Sequence, residues 1–258
     1  MSSSAVTRAI YPSLRSRRVL VTGGASGIGE GLVEAFVAQG ARVMFCDIAD
    51  DAAAKVVARL EGDATHPPLY RRCDPTDVEA VRALVTETEA ALGGLDILVN
   101  NAGNDDRHTI DAVTPAYWDD RMAVNLRHLF FAAQAAVPSM RRAGRGVILN
   151  FGSISWHLGA RDMPIYQTAK AAIEGMTRAL ARDLGRDGIR VATIVPGNVQ
   201  TPRQERWYTP EGAAEIVAAQ CLDGRIQPAD VAALVLFLAS DDARMCTGHS
   251  YFVDAGWR

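Results

Sequence analysis

The stretch Thr22-Gly23-Gly24-Ala25-Ser26-Gly27-Ile28-Gly29 decides how this chain folds. It directly follows the apolar run Val19-Leu20-Val21 and opens a segment with helical periodicity. Glycines permit a tight turn and let backbone N–H groups approach a pyrophosphate, and a helix N-terminus favours the negative charge. The spacing of Gly23, Gly27 and Gly29 is G-x-x-x-G-x-G, not the common G-x-G-x-x-G fingerprint. A glycine cluster alone reads equally as a structural turn. Between a first strand and a first helix it reads as a nucleotide loop, in which Ser26 and Ile28 take part.

Outward from this loop, apolar β-branched runs recur at 18–22, 41–47, 68–73, 95–100, 146–151, 189–195 and 250–253. Each of the first six precedes a helical stretch. Ala169, Ala172, Ile173, Met176 and Leu180 fall on one helix face, as do Met122, Leu126, Leu129, Phe130, Ala133 and Val137. Continuous apolar strands alternating with helices predict a doubly wound parallel sheet of about seven strands, flanked by helices on both faces. Residues 1–258 read as one domain, with 1–16 as an N-terminal extension. The region 198–228 is long, polar and rich in Trp, Tyr and Arg, and it follows a strand end. Ligands of open α/β sheets bind beyond the carboxyl ends of the strands, so this region reads as a lid or as a plain pair of surface helices.

A chain of 258 residues buries enough surface to be stable without disulfides or metal. Its 48% hydrophobic and 22% charged residues exclude a disordered, collagen-like or coiled-coil chain. Net charge −3 leaves no basic footprint for nucleic acid. Cys46, Cys73, Cys221 and Cys246 are scattered, with no C-x-x-C pair, so no metal site is expected. The N-terminal residues hold no signal-type apolar core, and no run reaches the ~20 apolar residues of a membrane span. A soluble, cytoplasmic protein without membrane partners is the expectation.

Asp47 ends the second strand, twenty residues beyond Gly27. An acidic residue there accepts hydrogen bonds from the adenosine ribose hydroxyls. Its charge opposes a 2′-phosphate, and neither Ile48 nor Ala49 supplies a cation, so NAD is expected over NADP. Asp47 also suits a helix cap, for which Asp50 is equally placed. Asp74 either reaches the adenine amino group or helps start a helix with Thr76 and Asp77. Asn101, Ala102 and Gly103 end the fourth strand, where small residues leave room for a ribose.

Ser153 ends the fifth strand, and the helix that follows carries Tyr166 and Lys170 one turn apart. A phenol with a pKa near ~10 is a poor base at neutrality, and a neighbouring ammonium is expected to lower that value. By itself Y-x-x-x-K is a weak motif. Downstream of a nucleotide loop, thirteen residues after Ser153, it is strong.

With these motifs together, the chain resembles the short-chain dehydrogenase/reductase family from about residue 17 to the C-terminus. The resemblance rests on the glycine loop, Asn100-Asn101-Ala102-Gly103, Asn125, the Ser153/Tyr166/Lys170 set and the segment 196–201, P-G-N-V-Q-T. It implies a Rossmann-type fold. It implies that Ser153 positions the substrate oxygen, Tyr166 transfers the proton, and Lys170 holds the nicotinamide ribose and tunes the tyrosine. It further implies that Asn125 kinks its helix and holds a relay water, that Pro196, Gly197, Val199 and Thr201 fix the nicotinamide, and that the chain forms a homotetramer.

Stretches 101–108, 150–159, 203–212 and the C-terminal V-D-A-G-W-R resemble the bacterial NAD-dependent sugar 1-dehydrogenases of that family. That narrower likeness implies oxidation of an aldopyranose, D-xylose first, to its lactone. Asn104, Asp105, His157 and Asn198 suit sugar hydroxyls, and Trp156, Trp207 or Tyr208 suit the apolar ring face. Each of these side chains also has a plain packing role to offer. No clustered Arg/Lys pair is evident for a phosphate or carboxylate. The competing readings are a 3-oxoacyl-thioester reductase or another alcohol or polyol dehydrogenase, and a non-catalytic NAD-sensing protein. The last would be expected to lose Tyr166 or Lys170, and neither is lost.

Overall fold

The computed structural model describes residues 8–62, 64–205 and 208–257. Seven parallel strands form one sheet: β1 (Arg18–Thr22), β2 (Arg42–Asp47), β3 (Leu69–Arg72), β4 (Ile97–Asn100), β5 (Gly146–Phe151), β6 (Ile189–Pro196) and β7 (Ser250–Val253). Their order is β3-β2-β1-β4-β5-β6-β7. The order reverses between β1 and β4, so the loops at the carboxyl ends of these strands part and open a crevice. The strands match the expected runs to within two residues.

Helices α1 (Gly27–Ala38), α2 (Asp50–Glu61), α3 (Val78–Leu92), α4 (Pro115–Met122), α5 (His128–Ala143), α6 (Ser155–Leu158), α7 (Pro164–Leu184), α8 (Pro202–Glu205), α9 (Pro210–Ala218) and α10 (Pro228–Ala239) complete the fold. Alternation along β1 separates the two faces. Val19 and Val21 point into the core with Phe36, Val231 and Val235, while Leu20 joins Val85, Ala133 and Met140 on the other side. At the opposite end of the sheet, the buried carboxylate of Asp96 joins β1 to β4. It accepts from the Arg18 backbone N–H at 3.0 Å and from its guanidinium at 2.7 and 2.8 Å.

Two predicted helix faces are rotated. On α7 the buried side is Ile165, Ala169, Lys170, Ile173 and Thr177, while Ala172 faces outward. On α5, Leu129, Ala133 and Val137 are buried but Phe130 is 42% exposed. Periodicity counted only apolar residues, whereas Lys170 and Thr177 are buried because each finds a polar partner. Among the described residues, no helix is long and apolar enough to cross a membrane.

Candidate active site

The crevice at the carboxyl ends of the strands is a cleft of about 780 Å³. Its phosphate end is the glycine loop. Gly23 and Gly27 hold φ of +69° and +55°, and a Cβ on Gly29 would lie 1.8 Å from the Gly23 carbonyl. Side chains would therefore fill the cradle, and the backbone of the α1 N-terminus stays open to a pyrophosphate. The Nδ2 of Asn101 braces the loop, donating to the Thr22 and Gly23 carbonyls at 2.9 and 3.0 Å. Its expected part beside the cofactor is thus accompanied by a scaffold role that the sequence did not disclose.

Asp47 is similarly committed. Its carboxylate accepts from the N–H groups of Ala25 at 3.0 Å, Ile48 at 2.8 Å and Ala49 at 3.1 Å. A carboxylate has about four acceptor positions, so one remains for a ribose hydroxyl. β-Pairing sets Arg72 opposite Asp47. That arginine donates to the Ile48 carbonyl at 2.5 Å and pairs with Asp50 at 2.8 Å. No local pattern pointed to this cation at the same rim. Asp74 accepts from the Thr76 N–H and hydroxyl at 2.8 and 2.7 Å, while Asp77 caps α3. Asp74 thus shapes this turn, and together with Ile48 it borders the cleft.

At the chemical end, Pro164 starts α7 at a position that suits proline. The orphan N–H of Ile165 donates to the His108 ring at 3.3 Å. Tyr166 therefore sits in the first turn and projects into the cleft with Ser153. Lys170 is 3% exposed, its Nζ donating to the Phe151 carbonyl at 2.8 Å and lying 5.4 Å from the Tyr166 ring centre. Burial pushes its pKa down to about 8.

Tyr166 corrects the expectation of a lowered phenol pKa. Burial, then the Asp105 carboxylate, push it above its ordinary value, and a hydrogen bond with Ser153 and the charges of Arg203 and Arg107 pull only partly the other way. Desolvation of the phenolate outweighs them.

Asn125 lies in a π-turn at Ala123–Arg127 that breaks the run from α4 into α5, as the expected kink requires. Its side chain serves the backbone. Oδ1 accepts from the Asn104 N–H at 2.8 Å, and Nδ2 donates to the carbonyls of Asn104 and Arg121, both at 3.0 Å. Gly103 packs between it and Lys170, where a Cβ would lie 3.2 and 3.4 Å from their polar atoms. Ala102 borders the cleft and accepts from His128 at 3.2 Å. Pro196, Gly197, Val199 and Thr201 line the same wall, held by a Val199–Ile226 bridge.

The sugar-binding candidates divide. Asn104, Asp105, Asn198 and Tyr208 line the cleft. Trp156 and His157 do not. They stack at 3.7 Å, and both meet one oxygen of Glu174 at 3.0 Å, while the other oxygen accepts from Ser250 at 2.8 Å. Their polar atoms are satisfied beside β7, so the packing reading holds for both. Trp207 lies outside the described residues. Asn198 donates to the Tyr208 hydroxyl at 2.8 Å and accepts from Arg225 at 2.6 Å.

The structure adds Arg107, Arg121, Arg203, Gln204 and Trp257 to the lining. Three arginines thus do gather at the mouth, contrary to the sequence reading. Arg121 is matched by Asp106 and Asp120, and Arg203 by Asp105 and Asp106. The sequence offered no local signal for these pairs.

A family model described as enoyl-(acyl carrier protein) reductase matches residues 23–258. The chain is 61% identical over 253 residues to D-xylose 1-dehydrogenase of Caulobacter vibrioides, covering 98% of this chain and 100% of that one. It is 47% identical over 247 residues to "Probable galactose dehydrogenase GalD" of Rhizobium meliloti, with coverages of 95% and 96%. L-fucose dehydrogenase of Bos taurus is 39% identical over 245 residues, with coverages of 92% and 88%. A crystal structure from Sinorhizobium meliloti, described as a short-chain alcohol dehydrogenase, superposes with a TM-score of 0.90 at 32% identity, covering 95% of this chain and 98% of its own.

Proposed function

The chain belongs to the short-chain dehydrogenase/reductase family, and on that premise we propose that it oxidises an aldopyranose, D-xylose first, at C1 with NAD. The carrying observation is the Lys170 ammonium held on the Phe151 carbonyl beside Tyr166, in a cleft whose far end is the glycine cradle.

Gly23, Gly27 and Gly29 leave the cradle for the pyrophosphate, Asp47 takes a ribose hydroxyl, and Lys170 and the wall from Pro196 to Thr201 hold the nicotinamide end. A bound oxidised nicotinamide would supply the acceptor for the C1 hydride and a positive charge at this end of the cleft. Ser153 orients the C1 hydroxyl and Tyr166 takes its proton, so that the sugar leaves as the lactone. Tyr166 takes that proton as its phenolate and becomes the phenol, and the buried ammonium of Lys170, 5.4 Å from the ring centre, favours the phenolate against the desolvation that opposes it. Asn104, Asp105, Asn198 and Tyr208 are the side chains we assign to the sugar.

The same reading includes NAD rather than NADP, a cytoplasmic location and a homotetramer. The exposed Phe130 on α5 supports association, and sedimentation checks it.

NADH formation from D-xylose, with an equal amount of lactone, tests the reaction. Glucose should be a slower substrate and not an inert one, because rejecting one extra hydroxymethyl by size is worth only ~1–3 kcal/mol. A 2-deoxy sugar should do worse than its size suggests. No NADH from any aldose, with turnover of a 3-oxoacyl thioester instead, would overturn the reading.

A further inference from the structure

Four side-chain bonds tie the loop after β4 to α8 across the mouth of the cleft. Arg203 pairs its Nε with Asp105 at 2.8 Å and donates Nη2 to Asn104 at 2.7 Å and to Asp106 at 3.0 Å. Gln204 donates to the second oxygen of Asp105 at 2.9 Å. Both oxygens of Asp105 are therefore held, and its side chain is 17% exposed. The far side of the loop is braced, since Arg121 on α4 holds the other oxygen of Asp106 at 2.9 Å. The chain leading into α8 is tied to the body by the Val199–Ile226 bridge, the Gln200 N–H on the Ile226 carbonyl at 2.7 Å, Gln227 on the Gln200 side chain at 2.9 Å and Arg225 on Asn198 at 2.6 Å. Across the cleft, α8 itself is fastened by one guanidinium to three consecutive residues, which has the form of a latch.

Resting on the sugar-oxidising reading above, we propose that Arg203 is a positioning residue that latches α8 over the cleft and, with Gln204, fixes the Asp105 carboxylate at the reaction site to receive a sugar hydroxyl. The planar fork suits this task, because it meets several oxygens in fixed directions as a lysine ammonium cannot. The latch has a second consequence at Tyr166. The groups that face this phenol are Lys170 on α7, Ser153 after β5, Asp105 and Arg107 from the loop after β4, and Arg203 from α8; the neutral His128 on α5 faces Lys170. Asp105 raises the phenol and Arg203 lowers it. An open latch withdraws the cation and bares the carboxylate, and both changes oppose proton removal.

Three variants and two readouts test the proposal. Hydrogen–deuterium exchange of the α8 amides in the protein alone reads closure, and the pH dependence of kcat/KM for D-xylose with NAD reads the charge. Arg203→Met should speed α8 exchange at least about tenfold and raise KM more than it lowers kcat. It should also move the ascending limb of the profile to higher pH by roughly half a unit to one unit, as a partly screened neighbouring charge would. Arg203→Lys should return the limb towards the parent position without restoring protection. Asp105→Asn should also speed exchange, yet move the limb to lower pH. Unchanged α8 exchange in Arg203→Met, or limbs of Arg203→Met and Asp105→Asn moving the same way, would overturn the latch. A parent enzyme that yields no NADH from any aldose would defeat the reading of function instead, and the exchange arm still decides closure.

Discussion

Lys170 donates its ammonium to the backbone carbonyl of Phe151 at 2.8 Å. The bond joins the second turn of α7 to the last residue of β5, so the sheet fixes the cation that α7 carries. Tyr166, one turn nearer the N-terminus, is held over the cleft by the same contact.

Tyr166→Phe should reduce kcat by at least ~100-fold, since general base catalysis is typically worth ~10²–10⁴-fold. NAD affinity should change little, because the phenol oxygen serves proton transfer. Steady-state rates with NAD titration by fluorescence check this. A variant within threefold of the parent would move the base elsewhere.

Asp47→Asn should narrow the preference of NAD over NADP in kcat/KM, because it removes the charge and keeps an acceptor for the backbone N–H groups. Asp47→Ala should narrow it too and also lower Tm, since the Ala25, Ile48 and Ala49 N–H groups lose their partner. Equal use of both cofactors by the parent would refute a selective role for Asp47.

His157→Ala should leave KM for the sugar within about twofold, since His157 bonds Glu174 beside β7 and does not line the cleft. Loss of a buried hydrogen-bonded contact costs roughly 1–3 kcal/mol, or a fall in Tm of about 2–10 °C for a chain of this size. Calorimetry with sugar kinetics checks both arms. A tenfold rise in KM at unchanged Tm would return His157 to the substrate.

His128 gives an acid-side prediction. Burial first, then the nearby Lys170 cation, push its pKa down to about 4, and backbone hydrogen bonds at Ala102 and Val124 only partly oppose them. Between the unfolded value near ~6.5 and the folded value the unfolded chain binds more protons, so stability rises with pH there and is lost as pH falls through that window. The shift corresponds to about 3 kcal/mol. Denaturant melts from pH 7 to 4 should show this slope, and His128→Asn should flatten it. An equal slope in the variant would assign the acid loss to other groups.

Much was legible in the sequence because it depends on local pattern. Strand and helix alternation follows from the spacing of apolar residues. The glycine loop follows from backbone conformations that side chains would obstruct, as the φ of Gly23 and the crowding at Gly29 bear out. Tyr166 and Lys170 share a helix face by their spacing alone.

Tertiary structure decided what depends on partners far apart in the chain. Trp156 and His157 had the right residue types for a sugar pocket, but Glu174 and Ser250, 76 residues apart, claim them for the wall beside β7. Arg203 and Asp106 are separated by 97 residues and meet only because the loops after β4 and β6 leave the same edge of the sheet. The acidity of Tyr166 likewise belongs to the assembled site. Its neighbour at the next turn predicts a lowered pKa, but desolvation by everything packed around it is stronger, and no local spacing records how much water a fold removes.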